Sequence, residues 1–272
     1  MVKRRKRPQQ RQRTPSTESD TVDRYLREVG FTPRMIADDF WDHLSGRYPE
    51  YAERFLQYVN HRRESDNKTD DYLTGVDHLY RVKNASLDFT TAITSQYFGR
   101  LYASYLAMVE TLGLPRAASS VLDVGCDNGI LTSFYARYFS EAHVLGVDRC
   151  NEGLTCAAAL RDRLCIPNVF LLAADAFEDV PHPQITERQW DIIFMTLCGY
   201  EQLDRHLNTE RALAARFLSL LKPRGIAVVV EYPSSALLPE LHVIARLHEM
   251  WTLNYEAFGG DQEQVFVSVV ET

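Results

Sequence analysis

No stretch of the 272 residues approaches the roughly 18 consecutive apolar positions of a membrane-spanning helix, and the N-terminus lacks the apolar core of a secretory signal. Cysteine is sparse: Cys126, Cys150, Cys156, Cys165 and Cys198 are odd in number and contain no Cys-x-x-Cys, which argues against a disulfide framework and against zinc. Asp39 and His43 stand one helical turn apart without further ligands in register, so no metal is expected. Internal repeats are also absent. These gaps point to a reducing compartment: the cytoplasm is expected, the basic run Lys3 to Arg7 leaves a nuclear address open, and no membrane partner is expected. What is present is ordinary globular composition, 45% hydrophobic and 25% charged, in a chain long enough for a sizeable core.

Charge is distributed unevenly. Residues 1–19 hold seven Lys/Arg and one acid, a local +6 within a chain total of −7, so the remainder carries about −13. The body is therefore a poor general polyanion binder, and a nucleic-acid partner would need a local patch or the basic tail. With almost no apolar content, residues 1–19 are expected to be a disordered, solubilising tail. Between 20 and 117 the apolar residues fall at helical spacing, with Ile36, Phe40 and Leu44 on one stripe and Tyr51, Phe55 and Val59 on another. A polar stretch from His61 to Asp71 reads as a loop, and Ile93, Tyr97, Leu101 and Tyr105 mark a longer helix ending near Gly113-Leu114-Pro115.

After residue 118 short β-rich runs alternate with amphipathic segments, the pattern of crossover units in a parallel sheet. Strands are expected at 120–125, 143–148, 169–173, 190–196 and 225–231. Helices are expected at 129–139, around Leu213, Phe217, Leu220 and Leu221, and at 239–249. The turn Lys222-Pro223-Arg224-Gly225 leads back into a strand, and the runs Trp251 to Phe258 and Gln264 to Val270, split by Gly259-Gly260-Asp261, suggest an antiparallel hairpin.

The chemistry gathers at the ends of these strands. Val121-Leu122-Asp123-Val124-Gly125-Cys126-Asp127-Asn128-Gly129 is an apolar strand entering a tight turn and then a helix, the geometry in which a backbone approaches a nucleotide-like ligand and a helix N-terminus faces it. Glycine in such a connection is as readily plain turn geometry. Val144-Leu145-Gly146-Val147-Asp148 ends a second strand in an acid 25 residues after Asp123, where a carboxylate can accept both hydroxyls of a ribose. Val169 to Ala173 leads to Asp175, and Trp190 to Thr196 supplies a fourth strand. Each acid alone could be a helix cap or a solvated loop residue, but acids at three successive strand ends converge on one rim.

In this order of motifs the chain resembles the class I S-adenosylmethionine-dependent methyltransferases over about residues 118–272. The resemblance implies a Rossmann-like, mostly parallel α/β sheet of seven strands in the order 3-2-1-4-5-7-6, flanked by helices and preceded by a helical extension. It also implies S-adenosyl-L-methionine as cofactor, with S-adenosyl-L-homocysteine as product. The cofactor-binding set it implies is Asp123, Gly125, Cys126, Asp127 and Gly129 from the first motif, Asp148 and Arg149 at the ribose, Asp175 and Ala176 at the adenine, and Thr196 at the fourth strand end. One departure is plain: the family's Gly-x-Gly-x-Gly has Asp127 in place of its middle glycine. Asp tolerates positive φ better than most residues, so it can keep the turn, bond the ligand's amino group or cap the helix. A carboxylate there would repel a pyrophosphate, and no third glycine completes Gly-x-Gly-x-x-Gly, which places a nicotinamide oxidoreductase below a methyltransferase.

Methyl transfer from a sulfonium is an in-line displacement that demands alignment and water exclusion more than particular side chains. A general base for a hydroxyl or amine acceptor would come from the ends of the fourth and fifth strands, with Tyr200, Glu201, His206, Glu231 and Tyr232 as positional candidates. Each has a plain structural alternative, such as an exposed helix-start histidine or a packed tyrosine ring. Met195-Thr196-Leu197-Cys198-Gly199-Tyr200 is neither the Asn/Asp-Pro-Pro-Tyr/Phe of base-amino methyltransferases nor the Pro-Cys of cytosine-5 enzymes. Cys198 then reads as a small buried residue. These absences favour a small-molecule acceptor, or a protein, over a nucleic-acid base. By analogy with related small-molecule enzymes, residues 20–117 are expected to cover the strand ends as a lid. Trp41, Tyr72, Tyr80, Tyr97, Tyr102 and Tyr105 would either line an acceptor pocket or pack helix on sheet. Two further readings are an RNA methyltransferase using the basic tail, and a protein that binds S-adenosylmethionine without catalysis.

Overall fold

The computed structural model describes residues 20–64, 70–176, 178, 182–198, 210–235, 237–257 and 260–272. Five strands run parallel: β1 (Ser120–Val124), β2 (His143–Asp148), β3 (Val169–Ala173), β4 (Trp190–Thr196) and β5 (Leu221–Glu231). They are closed by the antiparallel pair β6 (Arg246–Glu256) and β7 (Gln262–Glu271), in the order β3-β2-β1-β4-β5-β7-β6. This is the arrangement implied by the family resemblance. Five helices precede the sheet: α1 (Asp20–Val29), α2 (Ala37–Arg47), α3 (Pro49–Glu64), α4 (Asp70–Lys83) and α5 (Leu87–Thr111). Within the sheet region lie α6 (Ile130–Tyr138), α7 (Asn151–Arg163), the short α8 (Pro183–Thr186), α9 (Glu210–Ser219) and α10 (Leu237–Ile244).

Side chains alternate across a strand, and the central strands are apolar on both faces because both faces are covered. Val121, Val144, Ile192, Phe194 and Val228 point into one core with Leu101, Tyr105 and Met108 of α5 and Phe134 and Tyr135 of α6. Leu122, Val124, Leu145, Ile193 and Met195 point into the other, against Phe217 and Leu218 of α9 and Leu237 and Leu241 of α10. A third cluster, with Phe40, Leu44, Phe55, Phe89 and Ile93, holds the N-terminal helices together. Helix α5 joins two of these clusters. Its start is capped by the Ser86 hydroxyl, which accepts from the Phe89 amide at 3.3 Å.

Four local expectations are corrected. The polar run after His61 is not all loop: α3 continues to Glu64 and α4 begins at Asp70. Ile36 does not share the buried stripe of Phe40 and Leu44 but sits at the start of α2, 69% exposed. The helix expected over 239–249 stops at Ile244, because Arg246 onward pairs with β7 and cross-strand packing of Leu253 and Tyr255 overrides helical spacing. Leu220 and Leu221 lie outside α9, and the Lys222-Pro223-Arg224-Gly225 turn is absorbed as an irregularity inside β5. Leu221 pairs with Trp190 and Ile226 with Ile192, while Arg224 takes φ 66°. Among the described residues no helix is long and apolar enough to cross a membrane.

Candidate functional site

The turn after β1 is built by three residues with positive φ. Gly125 has φ 74°, and the Val147 carbonyl of β2 accepts from its amide at 2.9 Å and from that of Cys126 at 3.1 Å. A Cβ on Gly125 would lie 2.7 Å from Cys198 Cβ, so the Cys198 side chain packs against the turn where any larger residue would stand. Asp127 adopts φ 46°, the left-handed conformation that Asp tolerates, so the turn survives the missing glycine. Gly129, φ 74°, precedes α6, and a Cβ there would meet Ala157 Cβ of α7 at 2.6 Å. The third glycine thus serves helix packing.

A cavity of about 270 Å³ opens above this turn, between the carboxyl ends of β1 to β4 and helices α4 and α5. Asp123, Gly125, Cys126, Asp127, Asp148, Arg149, Asp175 and Thr196 all stand on its wall. Gly129 is not on the wall, and Ala176 is buried in the second core beneath it. Glu231 and Tyr232, at the end of β5, do not line the cavity either; Glu231 is fully buried. Tyr200, Glu201 and His206 lie outside the described residues. Of the aromatics from the N-terminal helices, Tyr80 and Tyr102 reach the wall, Trp41 and Tyr97 pack in the third cluster, and Tyr105 is buried with its hydroxyl 2.9 Å from that of Tyr135. The side chain of Tyr72 lies outside the described residues.

Asp148 is held on both oxygens: the Asp127 amide donates to Oδ2 and the Cys150 amide to Oδ1, each at 2.8 Å. A carboxylate oxygen has two lone pairs, so each can accept one further bond. Burial and the charge of Asp127 raise the Asp148 pKa above the usual carboxylate range, opposed by the two amides and by Lys83. Asp123 is 2% exposed and accepts from Thr132 Oγ1 at 2.5 Å. Burial pushes its pKa up to about 7, the Thr132 hydroxyl opposes the shift and the Asp148 charge adds to it. Burial likewise raises the Cys126 thiol, which makes it inert rather than nucleophilic. Cys198 Sγ donates to the Val124 carbonyl at 3.2 Å and fills the angle left open by Gly125.

Helix α4 contributes to the wall in a way that no motif of the sequence marks. Asp77, Arg81 and Lys83 come from that helix, Lys83 pairs with Asp127, and Asp77 pairs with Arg149. Val76 and Tyr80 are four residues apart and, with Leu73, give the helical spacing that would have placed α4. Nothing in spacing alone would have shown which turn its charges meet. Asn128 Nδ2 donates to Thr90 Oγ1 and Thr94 Oγ1 of α5, both at 3.0 Å, so the turn is tied to the preceding helices twice over.

The cavity wall therefore carries five carboxylates, Asp77, Asp123, Asp127, Asp148 and Asp175, against the cations Arg81, Lys83 and Arg149, and both oxygens of Asp148 already accept a backbone amide. Among the described residues no group of His, Cys, Asp and Glu could hold a metal ion. Sheet order and strand-end cavity together define the class I S-adenosylmethionine-dependent methyltransferases. The profile of the methyltransferase-domain family matches residues 115–265, more than half of the 272, and the chain belongs to that family; S-adenosylmethionine is its cofactor. No curated protein sequence matches the chain. Similar solved structures include a SAM-dependent methyltransferase from Aquifex aeolicus, 17% identical over 60% of this chain and 87% of that one, with a TM-score of 0.43. A TehB-like SAM-dependent methyltransferase from Corynebacterium glutamicum is 17% identical over 61% and 85%, TM-score 0.42. A structure described for conversion of a disulfide bond into a thioacetal group during echinomycin biosynthesis is 14% identical over 61% and 80%, TM-score 0.48. At such identities their acceptors say nothing of the acceptor here.

Proposed function

We propose that this methyltransferase acts on a small molecule, transferring methyl to an oxygen or nitrogen within the chamber between the strand ends and the N-terminal helices. The observation that carries this reading is the roofing of the cavity by α4 and α5. Phe98, Tyr102 and Tyr80 join Leu131 and Leu197 around it, an aromatic and aliphatic enclosure of the kind that takes small ligands. Residues 20–117 then form the acceptor-side lid, residues 118–272 the donor domain, and residues 1–19 an accessory tail.

When bound, S-adenosylmethionine supplies an electrophilic methyl group on a sulfonium, open to in-line attack. The chain's task is to hold and orient. Asp148 receives the ribose hydroxyls, with Arg149 beside it. Asp175 meets the adenine edge, with Ala176 packed beneath. Cys126 and Gly125 bring backbone to the donor, Gly129 sets the turn through its packing, and Thr196 closes the wall under the reacting centre. Tyr102, Phe98 and Leu131 exclude water, which favours displacement by the intended acceptor. For proton removal, Tyr200, Glu201 and His206 follow β4, while Tyr232 lies near Tyr102 and beside Glu231.

The acid at Asp123 adds a pH dependence. Its folded pKa of about 7 lies above its ordinary value of 3.8, so ionisation is disfavoured in the folded, ligand-free chain. Its contribution to stability is full below about pH 4 and declines as pH rises toward 7, since the unfolded chain has already released that proton. A cationic ligand pulls the pKa back down. Preference for the sulfonium S-adenosylmethionine over neutral-sulfur S-adenosylhomocysteine should therefore rise about tenfold between pH 6 and 7.5, and the Asp123→Asn variant should show no such rise. Calorimetric titration of both ligands across this range checks the expectation, and a flat ratio in the native chain contradicts it.

The acceptor class is tested with methyl-labelled donor and a cell extract split into small-molecule, protein and RNA fractions. Label transferred to the small-molecule fraction supports the reading. Label confined to protein or to RNA overturns it, and loss of RNA labelling on deleting residues 1–13 would assign that role to the tail.

A further inference from the structure

Lys83 is the one buried lysine or arginine among the described residues, 8% exposed at the C-terminal end of α4 and yet on the wall of the cavity. Lysine is seldom buried unless paired. Its partner is Asp127, the residue that stands in place of the middle glycine of the turn. The other oxygen of Asp127 accepts from Asn84 Nδ2 at 2.7 Å, and Asn84 Oδ1 in turn accepts from Thr90 Oγ1 at 2.7 Å. Lysine and aspartate are therefore fixed side by side by a network reaching into α5, with the Lys83 ammonium 4.9 Å from the centroid of the Tyr80 ring.

A buried ion pair contributes little net stability, because desolvation offsets most of the attraction. Adenosine recognition does not need this one, since Asp148 and Asp175 already stand at the strand ends. The donor's other end is an α-amino acid, and its carboxylate must enter a wall carrying Asp123, Asp127, Asp148 and Asp175. Without a cation in contact, repulsion there would cost much of the binding. Arg149 is engaged with Asp77 and Arg81 is solvent-exposed, which leaves Lys83 as the buried cation in place. An ammonium has three N–H donors, of which Asp127 takes one.

We infer that Lys83 and Asp127 clamp the amino-acid end of the donor, Lys83 holding its carboxylate and Asp127 its ammonium. A residue of the N-terminal helices thereby sets the preference for the whole donor over truncated nucleosides. This inference rests on the cavity being the donor site. It also gives Asp127 a purpose that a glycine could not serve.

The test is calorimetric titration of the full chain with three ligands: S-adenosylhomocysteine, its decarboxylated analogue, and 5′-methylthioadenosine, which lacks both charged groups. The native protein should bind S-adenosylhomocysteine about 10- to 100-fold more tightly than the decarboxylated analogue, the range for one charge-assisted contact. In Lys83→Met that gap should close while affinity for 5′-methylthioadenosine is unchanged, and Lys83→Arg should restore part of it. Equal binding of the first two ligands by the native chain overturns the clamp, and this arm stands even where Lys83→Met does not fold. A parallel loss of all three ligands in a folded Lys83→Met also overturns it, since Lys83 would then be a latch for α4. If the native chain binds none of the three, the donor site itself is wrong and the clamp falls with it. If all three bind equally well and Asp148→Ala removes them together, the clamp alone fails.

Discussion

Asp148→Ala is expected to weaken binding of both S-adenosylmethionine and S-adenosylhomocysteine about 100- to 1000-fold, the value of two hydrogen bonds from ribose hydroxyls to a charged acceptor. The carboxylate also accepts the amides of Asp127 and Cys150 at 2.8 Å, so the alanine leaves two backbone donors unpaired at the mouth of the turn. Asp148→Asn separates the two effects. Its amide oxygen can still accept one of those bonds, but its NH₂ faces the other donor, so ligand affinity should fall nearly as far while thermal stability falls less. Calorimetry and melting curves on the three proteins measure this. An Asp148→Ala protein that is folded and binds within threefold of the native one would remove Asp148 from the donor site.

The second large effect falls on stability. Gly129→Ala should destabilise the chain by about 3 kcal/mol, combining roughly 1–2 kcal/mol for an L-residue in the left-handed region with about 1–3 for overpacking. The new methyl would stand 2.6 Å from Ala157 Cβ and 2.9 Å from its Cα, and backbone cannot swing aside as a long side chain can. For a chain of this size the melting temperature should drop by about 6–12 °C. Gly125→Ala meets only the Cys198 side chain, at 2.7 Å, so part of its strain can be relieved by moving the cavity wall, and it should damage ligand binding more than stability. Gly46 supplies the opposite sign. It lies exposed in α2 with nothing within 4 Å, and Gly46→Ala should stabilise by about 0.5–1 kcal/mol. A Gly129→Ala protein that melts with the native one would show that α6 and α7 are not held together at this point.

The donor half of the fold was legible because its strands are short, apolar on both faces and punctuated by acids and glycines. The β2, β3 and β4 boundaries at 143–148, 169–173 and 190–196 follow from that pattern alone. Where local spacing and long-range pairing disagree, the pattern misleads: Arg246 to Met250 carries apolar residues at near-helical intervals, yet β7 offers it a partner strand. The same holds at Leu220 and Leu221, which continue the stripe of α9 but are claimed by β5 beside Trp190. Eight of the ten residues singled out for the donor reach one cavity, since strand-end acids in a parallel sheet share a rim whatever the loops do. The roof was not legible. Asp77 and Lys83 reach Arg149 and Asp127 only after α4 has folded back over the sheet, and a single sequence carries no mark of contacts made 72 and 44 residues away.

A structure of the chain with S-adenosylhomocysteine tests the donor site most directly. The ligand should lie between the Gly125 turn and α4, with both ribose hydroxyls on the Asp148 carboxylate and the adenine beside Asp175. Density for the ligand anywhere else, or a ribose turned away from Asp148, would contradict that placement.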